Sequence, residues 1–149
     1  MMECMDINKL LAFSATCKDY RALSRRVNVK GTVTANGGEM VKDISTILPR
    51  TQKLELVGLE TPYANANFAC FRCLHHIIVS GNSIGDIIFL CTLTSVQILE
   101  LPYTQVSDVS PLSKLTSLQT LYLSDTQVSN MSPLSELTSL LNLDLSKTC

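Results

Sequence analysis

Six cysteines and two histidines are the side chains of this sequence best suited to bind a metal or to act as nucleophile and base. The cysteines lie at positions 4, 17, 70, 73, 91 and 149. Cys70-x-x-Cys73, with His75 or His76, offers three of the four ligands a structural zinc takes, and Cys91 lies 18 residues beyond Cys73. A second close pair is missing, and the cysteine spacings form no compact disulfide framework, so reduced thiols packed as small hydrophobes are expected. A c-type haem would need a histidine directly after Cys73, where Leu74 stands. His75 and His76 are adjacent, and on a strand they face opposite sides, so they form no catalytic pair. The expectation is His75 tucked between layers and His76 exposed. Gly81-x-x-x-Gly85 lacks the Lys-Ser/Thr of a phosphate loop. The sequence therefore points to no enzyme, no cofactor and no metal.

The elements that carry these residues are foreshadowed by composition. The chain has 149 residues and a formal net charge of -1, which argues against a nucleic-acid binder. No run approaches the roughly 18 apolar residues of a membrane span. Glu3 and Asp6 stand where a secretory leader would be basic, so the cytoplasm is the expected location, with the nucleus as an alternative. Aromatic residues are only 5% of the chain, whereas leucine occurs 23 times, serine 16 and threonine 14. That mixture suits many similar small layers better than one irregular core.

The layers are visible as a repeat. Residues 93–114 read LTSVQILELPYTQVSDVSPLSK and residues 115–136 read LTSLQTLYLSDTQVSNMSPLSE, with 14 of 22 positions identical. A further copy starts at Leu137 and runs to Cys149. Residues 71–92 keep the frame in apolar type: Phe71, Leu74, Ile77, Val79, Ile84, Ile87 and Leu90 align with Leu93, Val96, Leu99, Leu101, Val106, Val109 and Leu112. Residues 48–70 fit with one extra residue, and residues 27–47 read as a worn first copy with Val27 and Val29 as its strand and a turn at Gly37-Gly38. In Leu118-x-x-Leu121-x-Leu123 the last two leucines alternate as a strand does. The chain then turns at Ser124-Asp125-Thr126, and Val128 and Met131 point back inside. Pro133-Leu134 opens a short helical or 3₁₀ return, with Ser132 as its expected cap. One unit alone cannot hide its leucines, but stacked units can.

These residues resemble leucine-rich repeats of the 22-residue class, which includes bacterial internalins and regulators of protein phosphatases. The resemblance is carried by Val96, Leu99, Leu101, Thr104, Val106, Asp108, Val109, Pro111 and Leu112, and by Leu118, Leu121, Leu123, Thr126, Val128, Asn130, Met131, Pro133 and Leu134. The Thr-Gln-Val-Ser phrasing is similar to repeat proteins of trypanosomatid protozoa. The resemblance implies an α/β leucine-rich-repeat solenoid with a parallel β-sheet on the concave face and short 3₁₀ or helical returns on the convex face. Where the family carries a buried Asn, this chain has Asn82 once and then Thr104, Thr126 and Thr148, so fewer side-chain bonds per turn are expected. Residues 1–26 read as an N-terminal helical cap. Within them, residues 6–23 resemble the second half of an F-box, which would make Ile7, Leu10 and Phe13 an adaptor-binding helix.

The class implies that strand residues facing away from the leucines line the concave face in columns. One column reads Glu55, Ile78, Glu100, Tyr122 and Asp144, and its neighbour reads Lys53, His76, Ile98, Thr120 and Asn142, with Tyr103 at the flank. Apolar and aromatic residues rimmed by charge are the usual anatomy of an interaction site. A protein partner held by Glu55, His76, Ile78, Ile98, Glu100, Tyr103, Tyr122 and Asp144 is the functional expectation. The alternatives are a ubiquitin-ligase substrate adaptor and a phosphatase regulator. The pattern breaks off within a repeat, which suggests a longer array or self-association through that edge.

Overall fold

The computed structural model describes residues 32–36, 52–57, 71–81 and 83–148. Their strands follow the sequence order in one parallel sheet: β1 (Thr32–Asn36), β2 (Lys53–Val57), β3 (His76–Ser80), β4 (Ile98–Glu100), β5 (Thr120–Tyr122) and β6 (Asn142–Asp144). The register is the arithmetic of the repeat. Lys53 pairs with His76 at a step of 23, and His76, Ile98, Thr120 and Asn142 follow at steps of 22. The first described strand runs from Thr32 to Asn36, with Val33 opposite Leu54 and Ala35 opposite Leu56. Val27, Val29, Gly37-Gly38 and the helical segment with Ile7, Leu10 and Phe13 lie outside the described residues.

The returns are 3₁₀ helices: η1 (Ile88–Thr92), η2 (Ser110–Lys114) and η3 (Ser132–Glu136). Pro111 and Pro133 sit in the first turn of the last two, where a fixed φ helps and no N–H is needed. Ser132 is not the cap: the N-cap residues are Ile87, Val109 and Met131, none with a side-chain cap bond, and the side-chain bonds at these turns come from the residue before each. Asp86, Asp108 and Asn130 each turn a side-chain oxygen onto the backbone N–H two residues on, at 2.9, 2.8 and 3.0 Å. The short Asx side chain reaches that N–H without disturbing the turn, whereas Ser132 already lies inside η3.

The core runs between sheet and returns as a stack of like positions. Ile77, Leu99 and Leu121 are fully buried, as are Val79, Leu101 and Leu123. Below them lie Leu74, Val96 and Leu118, and the returns add Leu90, Leu112 and Leu134. Met131 packs against this core half-buried. The backbone binds each layer to the next by the same bonds. His75 O accepts the N–H groups of Gln97 and Ile98, Gln97 O accepts those of Gln119 and Thr120, and Gln119 O accepts those of Leu141 and Asn142. The layer from 137 to 148 keeps this geometry, but Leu143 is 44% exposed where Leu121 is fully buried. Among the described residues no helix is long and apolar enough to cross a membrane.

Candidate functional site

The alternation that buries the leucines turns every other strand residue to the open face of the sheet. In β3 the burial alternates, with Ile77 and Val79 inside and His76, Ile78 and Ser80 half-buried on the other side. The register then assembles both expected columns. Glu55, Ile78, Glu100, Tyr122 and Asp144 are successive Cα partners, and so are Lys53, His76, Ile98, Thr120 and Asn142. Neighbouring residues of a column are about 4.8 Å apart, the spacing of strands in a sheet. Tyr122 is 39% exposed; Ile78 and Ile98 are half-buried beside it.

Two of these residues are joined. His76 Nε2 lies 2.6 Å from Glu100 Oε1, diagonally across β3 and β4. A carboxylate can only accept, so Nε2 carries the proton in this bond. The histidines are thus the reverse of the expectation: His76 is half-buried under Glu100, and His75 is exposed. The reason is local, since β3 begins at His76 and His75 lies on the approach to it, outside the alternation of the strand. Along the second column, Asn142 Nδ2 donates to Thr120 Oγ1 at 3.3 Å. Asp144 Oδ1 accepts the Ser146 N–H at 2.9 Å. That bond, reinforced by the Ser146 hydroxyl, holds the Asp144 carboxyl below its ordinary pKa.

Beyond β3, β4, β5 and β6 the chain turns through one residue of positive φ: Gly81 (φ 140°), Tyr103 (φ 56°), Asp125 (φ 56°) and Lys147 (φ 57°). The spacing is the repeat step, but the sequence hides it, because only Gly81 carries the usual glycine signal. The following threonine closes the turn. Thr104, Thr126 and Thr148 donate their hydroxyls to the carbonyls of Leu101, Leu123 and Leu145, at 3.0, 2.7 and 2.8 Å. These bonds stay within a layer, and the bridge between layers is made by backbone, Gln105 N–H to Ile84 O and Gln127 N–H to Val106 O. Tyr103, 62% exposed, stands on this turn beyond the end of β4, where it lines a shallow open cleft with Thr104, Gln105, Asp125 and Gln127. Lys147 Nζ lies 3.6 Å from Asp125 Oδ2 across the next two turns.

Cys73 and Cys91 are half-buried free thiols, and Cys70 lies outside the described residues. No three of His, Cys, Asp and Glu converge among the described residues.

Residues 94–136, the two most regular coils, match the family model described as leucine-rich repeats in two copies. The fold is a leucine-rich-repeat solenoid. Its similarity extends to solved internalins of Listeria monocytogenes. Internalin C2 superposes with a TM-score of 0.60 at 25% identity over 72% of this chain, and internalin InlF with 0.59 at 23% identity over 72%. The chain spans 46% of the first and 31% of the second, less than half of either. No curated protein sequence matches the chain. In this leucine-rich-repeat solenoid the two columns of β2–β6 form the open face of the sheet, and Tyr103 belongs to its rim.

Proposed function

We propose that the chain is a non-catalytic binding module that holds a protein partner on the concave face of its repeats. The observation that supports this reading most is the contrast within each strand. The inward positions repeat in every layer, whereas Ile78, Ile98 and Tyr122 place apolar and aromatic surface on the solvent side, bordered by His76, Glu100 and Asp144. An exposed apolar centre with a charged rim, and tyrosine at its middle, has the composition of a protein interface. Glu55 extends the rim on β2.

The test pairs affinity capture with a face-specific variant. Ile98→Glu/Tyr122→Glu carries charge into the middle of the face while leaving every inward leucine in place. Partners recovered from cells that make the protein are expected to be lost from this variant and retained by a convex-side control, Ser113→Glu. Undiminished capture by the Ile98→Glu/Tyr122→Glu protein removes the face from the account.

A further inference from the structure

Within that face the register places three side chains in a row with a more particular chemistry. Glu100 is the Cα partner of Tyr122, and Tyr122 is the partner of Asp144. The position of Tyr122, whose ring is exposed, therefore stands between two acidic positions, each about one strand spacing, about 4.8 Å, away along the sheet. We propose that this row receives an arginine side chain of the protein partner, the guanidinium stacked on Tyr122 between Glu100 and Asp144. The proposal rests on the concave-face reading and names what that face recognises.

The argument is charge complementarity with a fixed geometry. Both carboxylates are already held at one oxygen, Glu100 by His76 Nε2 at 2.6 Å and Asp144 by the Ser146 N–H at 2.9 Å. Little side-chain freedom remains to be lost on binding. Of the basic side chains near the row, His76 already holds one oxygen of Glu100, and Lys147 faces Asp125 outside the row. An aromatic face attracts a cation, and a guanidinium does so while its planar N–H groups point sideways towards acceptors on both flanks. An ammonium is a compact point charge and cannot serve both flanks from above the ring. Ile98, two residues before Glu100 on the same face, is half-buried and offers apolar surface to the aliphatic stem.

The experiment uses the full chain, labelled with ¹⁵N and on the tyrosine rings, and titrated with N-acetyl-arginine amide while NMR shifts are followed. The expected result is saturable shifts centred on Tyr122, Glu100 and Asp144. Affinity should exceed that for the neutral isostere N-acetyl-citrulline amide by about tenfold, the scale of one charge-assisted contact. Tyr122→Ala, and separately Glu100→Gln/Asp144→Asn, should each weaken it by about fivefold or more, with the remaining amide spectrum unchanged as the control for folding. Citrulline or lysine amide binding as tightly as the arginine amide overturns the proposal, and so do shifts spread over exposed carboxylates elsewhere. If the titration fails while Ile98→Glu/Tyr122→Glu still abolishes partner capture, only the arginine assignment falls. If capture also survives that variant, the concave-face reading falls with it.

Discussion

Leu121 and Tyr122 are consecutive residues of β5, and they belong to different parts of the protein. Leu121 is fully buried between Leu99 and Leu143 in the stack, and Tyr122 looks out between Glu100 and Asp144. Following each side through the layers makes the difference general. The inward row reads Leu54, Ile77, Leu99, Leu121 and Leu143, apolar throughout, while the outward row beside it reads Glu55, Ile78, Glu100, Tyr122 and Asp144. One side of each strand carries the requirement to stack, and the other is free of it. A face that does not hold the fold together can change its chemistry without changing the fold.

Substitutions of the two neighbours should separate these roles. Leu121→Ala removes buried volume from the middle of the stack and is expected to cost about 2–5 kcal/mol in urea unfolding. Tyr122→Ala should stay within about 0.5 kcal/mol of the wild type in the same measurement, as surface changes usually do. Equal losses would erase the distinction between the faces. The turns are an intermediate case. Thr126→Val keeps the shape but removes the hydroxyl bond to the Leu123 carbonyl, a loss of about 0.5–1.5 kcal/mol by the same assay. Tyr103→Gly should act in the opposite direction. Left-handed backbone costs an L-residue roughly 1–2 kcal/mol, and the entropy of a glycine in the unfolded chain returns about 0.5–1 of that. A small rise in melting temperature is expected, whereas a fall would mean that the Tyr103 side chain secures the turn.

The smallest effect concerns acid. Asp108 accepts the Ser110 hydroxyl and N–H, and Asp144 accepts the Ser146 N–H and hydroxyl; both carboxyls are held below their ordinary pKa. A carboxyl lowered in the folded state stabilises it at pH above the unfolded value, about 3.9, and that contribution disappears as pH falls through the folded value. Asp108→Asn/Asp144→Asn should therefore show a shallower loss of melting temperature on acidification below about pH 4 than the wild type does. Parallel curves would mean these turns contribute nothing to acid sensitivity.

The columns of the open face are legible in the amino-acid sequence because a fixed step of 22 residues fixes the register. Once Leu99 and Leu121 are matched, Glu100 and Tyr122 must be neighbours. The 23-residue step from β2 to β3 follows in the same way from Leu54 and Leu56. What is not legible depends on context within a layer rather than on the step between layers. The exposure of His75 and the partial cover of His76 follow from where β3 starts, a matter of one residue. The side-chain bonds ahead of the 3₁₀ returns fall to Asp86, Asp108 and Asn130, which reach forward two residues, a contact that the prominence of Ser-Pro in the sequence hides. The positive-φ position is masked by its own variety, Gly81, Tyr103, Asp125 and Lys147.

The central claim is that stability comes from like layers added in a line, each bound only to its neighbours. Inserting a second copy of residues 115–136 directly after Glu136 tests it in a single variant. The account expects a cooperatively folded protein that is longer by one strand spacing, about 4.8 Å, in X-ray scattering, with a higher melting temperature than the parent. An insertion of 11 residues, half a step, should unfold it. If the 22-residue insertion unfolds the protein as readily as the half-step does, the layers are not interchangeable units and the claim is contradicted.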